Sequence, residues 1–205
     1  AKRELAPVFS YGSSGVLAKQ IMEGAPFDVF AAANASYIDR VLKAGVGDPS
    51  SKSFLARGRL VVWVPKGEET PRKLSDLTST HYKKIAIANP EHAPFGQAAV
   101  QALLSSGVYE RVKSKLVFGE NVRQALQFAR SGNADAAIVS VSHTIGIQGT
   151  TYEIPPTLFQ PIDLTIVICS KRLEAKRFVQ FVQSDLGRTL LRQSGYLFPE
   201  EAATP

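Results

Sequence analysis

The chain has 205 residues and 44% apolar content, enough for one large domain or two small lobes with real cores. Its net charge of +6 comes from 24 Lys and Arg residues spread along the sequence, with no basic run longer than Lys83-Lys84. That argues against a nucleic-acid surface and leaves only a general attraction for anions.

One cysteine, Cys169, excludes an internal disulfide, and His81, His92 and His143 lie too far apart in sequence for a metal-ligand spacing. No run of 18 apolar residues is present to span a membrane. The start carries no charged and apolar leader, which fits a cytosolic chain or an exported one after processing.

Strand-length apolar runs alternate with amphipathic stretches, the pattern of an α/β protein with mostly parallel sheets. The first expected strand is VFSY (8–11), followed by YGSSG and a helix starting near Ser14, with Leu17, Ile21 and Met22 on one face. DVFAAA (28–33) reads as the next strand, then a helix starts near Ser36. RLVVWVP (59–65) is an extended apolar strand, and KIAIA (84–88) another, leading into a helix near Phe95. A helix from Val122 carries Val122, Leu126 and Ala129 inward and ends at Gly132. DAAIVS (135–140) and LTIVICS are the last expected strands. The final expected helix starts near Leu173, with Leu173, Phe178 and Val179 facing in. The run RGRLVVWVPKGEE and the proline-rich TYEIPPTLFQPID look like two crossings between lobes, because Pro155, Pro156 and Pro161 do not suit a central strand.

Four stretches lie after strands, where open α/β sheets bind ligands. Ser13, Ser14 and the flanking glycines open one helix, offering hydroxyls and free N–H groups to an anion; an ordinary serine cap in a tight turn would look the same. Asn89-Pro90-Glu91-His92-Ala93-Pro94-Phe95-Gly96 opens a second helix, with Pro94 suited to its first turn. Asn121 caps a third and leaves the amides of Val122 and Arg123 free. Ser140, Ser142 and His143 follow the fourth strand. Uncharged donors in this number suit an anion held by geometry. No nucleophile motif or phosphate loop is present.

The runs SYGSSGVLAKQIMEGAPFDVFAAANASYIDRV, GRLVVWVPKG, IANPEHAPFGQAAVQAL and GENVRQALQFARSGNADAAIVSVS resemble the periplasmic molybdate-binding protein family, in order and at compatible spacing. The resemblance implies a two-lobe type II periplasmic binding-protein fold, each lobe a mostly parallel sheet flanked by helices. Residues 1–62 and 162–205 would form lobe 1, and 63–161 lobe 2. It implies no catalysis and no cofactor. The ligand would be a tetrahedral oxyanion, molybdate or tungstate, held through its oxygens and delivered to the membrane permease and ATPase of an ABC importer. The location would be periplasmic. By position, the anion contacts fall on Ser14, with Ser13 as the neighbouring alternative, and on the amides of Phe95 and Val122. Ser140 stands where some members place a tyrosine, and is too short for the same reach; Ser142 or a backbone amide could take its place.

The family also opens with a further strand and serine, then a helix. AKRELAPVFSYGSSG looks like the tail of that helix, so the first strand of lobe 1 is expected to be missing. The expected consequence is a row of unpaired backbone groups beside VFSY, and with it weaker anion binding or a strand supplied by another chain. Otherwise a monomer is expected. The alternatives are a receptor for sulfate, thiosulfate or a small carboxylate, the effector-sensing domain of a transcription regulator, and, third, an enzyme using Glu91, His92 and His143.

Overall fold

The computed structural model describes residues 6–198; AKREL (1–5), read above as a helix tail, and 199–205, assigned above to lobe 1, lie outside the described residues. From the start the chain forms α1 (Ser14–Met22), β1 (Val29–Ala32), α2 (Ala35–Lys43), β2 (Ser53–Gly58) and β3 (Leu60–Pro65). Next come β4 (Ile85–Ala88), α3 (Pro94–Ser105), α4 (Tyr109–Val112), β5 (Leu116–Gly119), α5 (Val122–Arg130) and β6 (Ala136–Ser140). The chain closes with β7 (Gly149–Glu153), β8 (Ile162–Ile168), α6 (Leu173–Gln183) and α7 (Asp185–Gln193). All five helix starts read from the sequence fall within one residue of the observed ones. Side-chain caps fix two of them: Asn34 accepts from the Ser36 amide at 2.9 Å, and Asn121 from the Gln124 amide at 3.0 Å.

The strands form two sheets. The second, ordered β5-β4-β6-β3-β7, is mixed: β4 runs parallel to β5 and β6, while β3 runs antiparallel to β6 and β7. Every residue of β4 and β6 is buried, as befits strands whose apolar runs do not alternate and which are covered on both faces. Leu60, Val62, Trp63, Ile85, Ile87 and Leu103 sit at the centre of this core.

The first sheet, ordered β1-β8-β2, corrects the expectation of a mostly parallel sheet, because both of its pairings are antiparallel. VFSY (8–11) forms no strand. No strand among the described residues lies beside it to take its N–H and C=O groups, and it runs as irregular chain with Val8 96%, Phe9 57% and Tyr11 73% exposed. The outer edge of β1 is likewise unpaired among the described residues. Leu173, expected to face in, is exposed at the first position of α6, where Ala175 and Val179 form the buried face.

The chain leaves the first sheet at Arg59, the single residue between β2 and β3, and returns across Ile154–Pro161 before β8. An arginine fork braces each side of this crossing. Arg57 on β2 donates to Asp163 on β8 at 2.6 and 3.0 Å. Arg59 donates to Glu153, the last residue of β7, at 2.7 Å and through a second bond from its other nitrogen.

Candidate functional site

Because β4 is parallel to both β5 and β6, the loops after all three strands leave the same edge of the five-stranded sheet. Leu60 pairs with Ser140, so the crossing from the other sheet arrives at that edge too. The loops are tied together there: the Asn89 amide donates to the Gly119 carbonyl at 2.7 Å. Phe95, Val122 and Ser140, singled out in the sequence, therefore sit on one rim, beside the join to the first sheet.

Local packing fixes the donors. At Gly96 a Cβ would lie 2.0 Å from the Ala88 carbonyl oxygen, so only glycine lets α3 begin directly on the end of β4. In that first turn the amides of Gly96 and Gln97 already bond to the Ala93 carbonyl, at 2.9 and 3.0 Å. Phe95 is the second residue of α3, ahead of the first intrahelical bond, so its amide has no acceptor inside the helix, and Pro94 before it has no N–H at all. Its ring is buried against Gly58, at the end of β2. In α5, Asn121 satisfies the amides of Gln124 and Ala125, and those of Val122 and Arg123 precede the first intrahelical bond.

Ser13 and Ser14 open α1 on the other side of the cleft, 5% and 8% exposed. Ser14 Oγ accepts from the Ala33 amide at 3.2 Å, which leaves its own proton to give. Ser13 Oγ lies 2.8 Å from His92 Nδ1, and the Gly15 amide donates to the His92 carbonyl at 3.0 Å. The turns at Ser14 and Phe95 are thus bridged through His92. Sequence reasoning weighed His92 only as an acid–base candidate; its position three residues before Phe95 was the signal that it shares that rim.

Ser140 is buried and committed locally, 2.8 Å from Ser142 Oγ and accepting from the Ser142 amide at 3.3 Å. Ser142 Oγ in turn lies 3.4 Å from His143 Nδ1. Burial holds the His143 pKa below its usual 6.5, and the positive charge of Arg123 at the start of α5 pushes it the same way. A neutral ring there adds no fixed charge to the rim.

The Ser13–His92 pair has the form of a nucleophile and its base. However, no carboxylate among the described residues hydrogen-bonds His92, and Glu91 is exposed, its amide bonded to Asn89 Oδ1 at 3.0 Å. Nor do the described residues contain a group of three or more His, Cys, Asp or Glu able to hold a metal ion. None of their helices is long and apolar enough to cross a membrane.

Two sheets flanked by helices and joined by a short crossing, with helix starts beside the join, match the architecture of a type II periplasmic binding protein. The chain belongs to the bacterial extracellular solute-binding protein family, whose profile matches residues 4–197. It is 34% identical over 196 residues to the molybdate-binding protein ModA of Rhodobacter capsulatus, spanning 92% of this chain and 76% of that protein. The ModA of Azotobacter vinelandii is 33% identical, over 92% and 78%. The solved Azotobacter vinelandii periplasmic molybdate-binding protein superposes with a TM-score of 0.83 at 29% identity, over 93% of this chain and 86% of that one. The sulfate-binding protein SubI of Mycobacterium tuberculosis shares the fold, with a TM-score of 0.77 at 19% identity over 95% of this chain and 77% of that one.

Proposed function

We propose that this chain is the substrate-binding component of an ABC importer, working in the periplasm without catalysing a reaction. It binds molybdate or tungstate in the cleft and hands it to the membrane permease. This reading is carried by the starts of α3 and α5 on one rim, with the start of α1 held against it through His92 and with hydroxyl and amide donors at each. The kinship with molybdate-binding proteins supports the choice of anion.

The contacts assigned are the Ser14 hydroxyl and the amides of Phe95 and Val122. Ser140 acts through Ser142, which it positions. In this reading the two lobes are those expected above, with the first boundary drawn at Arg59 instead of residue 62; the pairing of Leu60 onward in the second sheet supports that choice.

Each hydrogen bond to a charged oxyanion contributes roughly 1.5–3 kcal/mol net. Four to six of them, less desolvation and closure, give micromolar to nanomolar affinity, about −8 to −12 kcal/mol. Uncharged donors do not tell one dianion from another by charge, so discrimination against sulfate falls to cavity size.

Parallel calorimetric titrations with molybdate, tungstate, sulfate and phosphate test the reading. Heat from the first two and none from the others is the expected result. Heat from sulfate without molybdate would transfer the assignment to a sulfate receptor, the second reading that the shared SubI fold keeps in view.

A further inference from the structure

The closest polar approach between the lobes runs through one residue. His92 belongs to the loop after β4, in the second lobe; Ser13 and Gly15 belong to the turn into α1, in the first. The side chain and the main chain of His92 are both engaged, by Ser13 Oγ at 2.8 Å and by the Gly15 amide at 3.0 Å. We infer that His92 is a latch on the closed cleft: a positioning residue that holds the lobes together over the anion and, by occupying Ser13, leaves Ser14 as the hydroxyl that donates to it. Only the second half of this inference rests on the oxyanion reading.

Both sides of the contact are shaped for it. A Cβ on Gly15 would lie 2.9 Å from His92 Cβ, 3.0 Å from the His92 carbonyl oxygen and 3.1 Å from the Tyr37 ring, so any side chain would hold the lobes apart. The loop carrying His92 is a preformed turn. Asn89 accepts from the Ala93 amide at 2.9 Å through its carbonyl and from the Glu91 amide at 3.0 Å through its side chain. The His92 carbonyl is therefore presented to Gly15 by a stiff support.

Counting protons divides the labour between the two serines. A serine hydroxyl has one proton to give. In the His92 tautomer that carries its proton on Nε2, Nδ1 is an acceptor and takes the Ser13 proton. Ser14 Oγ instead accepts from the Ala33 amide, and its proton remains for the ligand. Of the adjacent serines, one fastens the cleft and the other reads its contents.

The test is a double-mutant cycle on molybdate affinity and release with Ser13→Ala, His92→Ala and both together. Each single variant is expected to raise Kd about tenfold, the size of one lost hydrogen bond, and to act through the release rate. The double variant should be no weaker than either single one, and His92→Gln should recover part of the loss. Full additivity would overturn the division of labour, because Ser13 would then be contacting the anion in its own right. Hydrogen exchange at the Gly15 amide, with and without molybdate, tests the latch separately. Protection should fall in both single variants and in Gly15→Ala, while β4 and β6 stay protected. Unchanged protection at residue 15 in both conditions would overturn the latch. If the unaltered protein binds none of the four anions, the binding reading falls and the Gly15 exchange still decides the latch.

Discussion

The two lobes are built to different standards. The second is a five-stranded sheet whose central strands are buried along their whole length, with α3 and α5 packed on it. The first has three strands, an unpaired β1 edge among the described residues, and Val8, Phe9, Leu173, Leu186 and Leu190 exposed. The assigned ligand contacts follow the same asymmetry. Two amides and the Ser140–Ser142 pair sit on the rigid lobe, and one hydroxyl comes from the thinner one. A binding site that must open and reclose can tolerate this, provided that the donors needing the tightest placement rest on the firmer sheet.

The sharpest way to break this comparison is to truncate a leucine in each lobe. Leu103→Ala, in the second core, is expected to cost about 3 kcal/mol of unfolding free energy. Leu186→Ala, on the exposed face of α7, should stay within about 0.5 kcal/mol. Urea denaturation reads both, and equal losses would refute the asymmetry. Next in size, Ser14→Ala should weaken molybdate binding roughly ten- to a hundred-fold, or about 1.5–3 kcal/mol. Unchanged affinity in a calorimetric titration would move the site away from α1.

A smaller effect is expected from pH. The His143 pKa is depressed in the folded state, so the unfolded chain binds more protons in the window just below 6.5. Its contribution to stability is complete above that value and is lost as the pH falls towards the folded pKa. His143→Gln should flatten denaturation midpoints over that interval, and an unaltered slope would show that another group governs it. The smallest change is predicted for Phe9→Ser. It should leave the unfolding midpoint within about 0.5 kcal/mol and lower any self-association seen by light scattering.

The asymmetry also explains what could be read in advance. Two helix starts were legible from their own chemistry: Asn121 as a cap and Pro94 in a first turn. Uninterrupted apolar runs such as IAIA and AAIVS reported strands buried on both faces. SFLARG, LVFG and GTTYE escaped notice because none is an uninterrupted apolar run and none is buried along its whole length. VFSY failed in the opposite direction: its residues favour a strand, but none of the described strands pairs with it. At the proposed site, the placement of Phe95, Val122 and Ser140 at the ends of neighbouring strands was legible from the turns that follow those strands. The contact of Ser13 with His92 was not, because the two residues are 79 positions apart and nothing in either segment encodes the other.

The paired arginine forks at the crossing have a mechanical consequence. Arg57 fastens β2 to β8, and Arg59 fastens the entry of β3 to the end of β7, so the outgoing and returning passes of the chain are clipped together on both sides of the gap. A pair of straps clipped this way resists twisting against each other but not folding in the same sense. The two passes are therefore fixed to one another on both sides of Arg59, and any bending there has to carry both strands of each pair together.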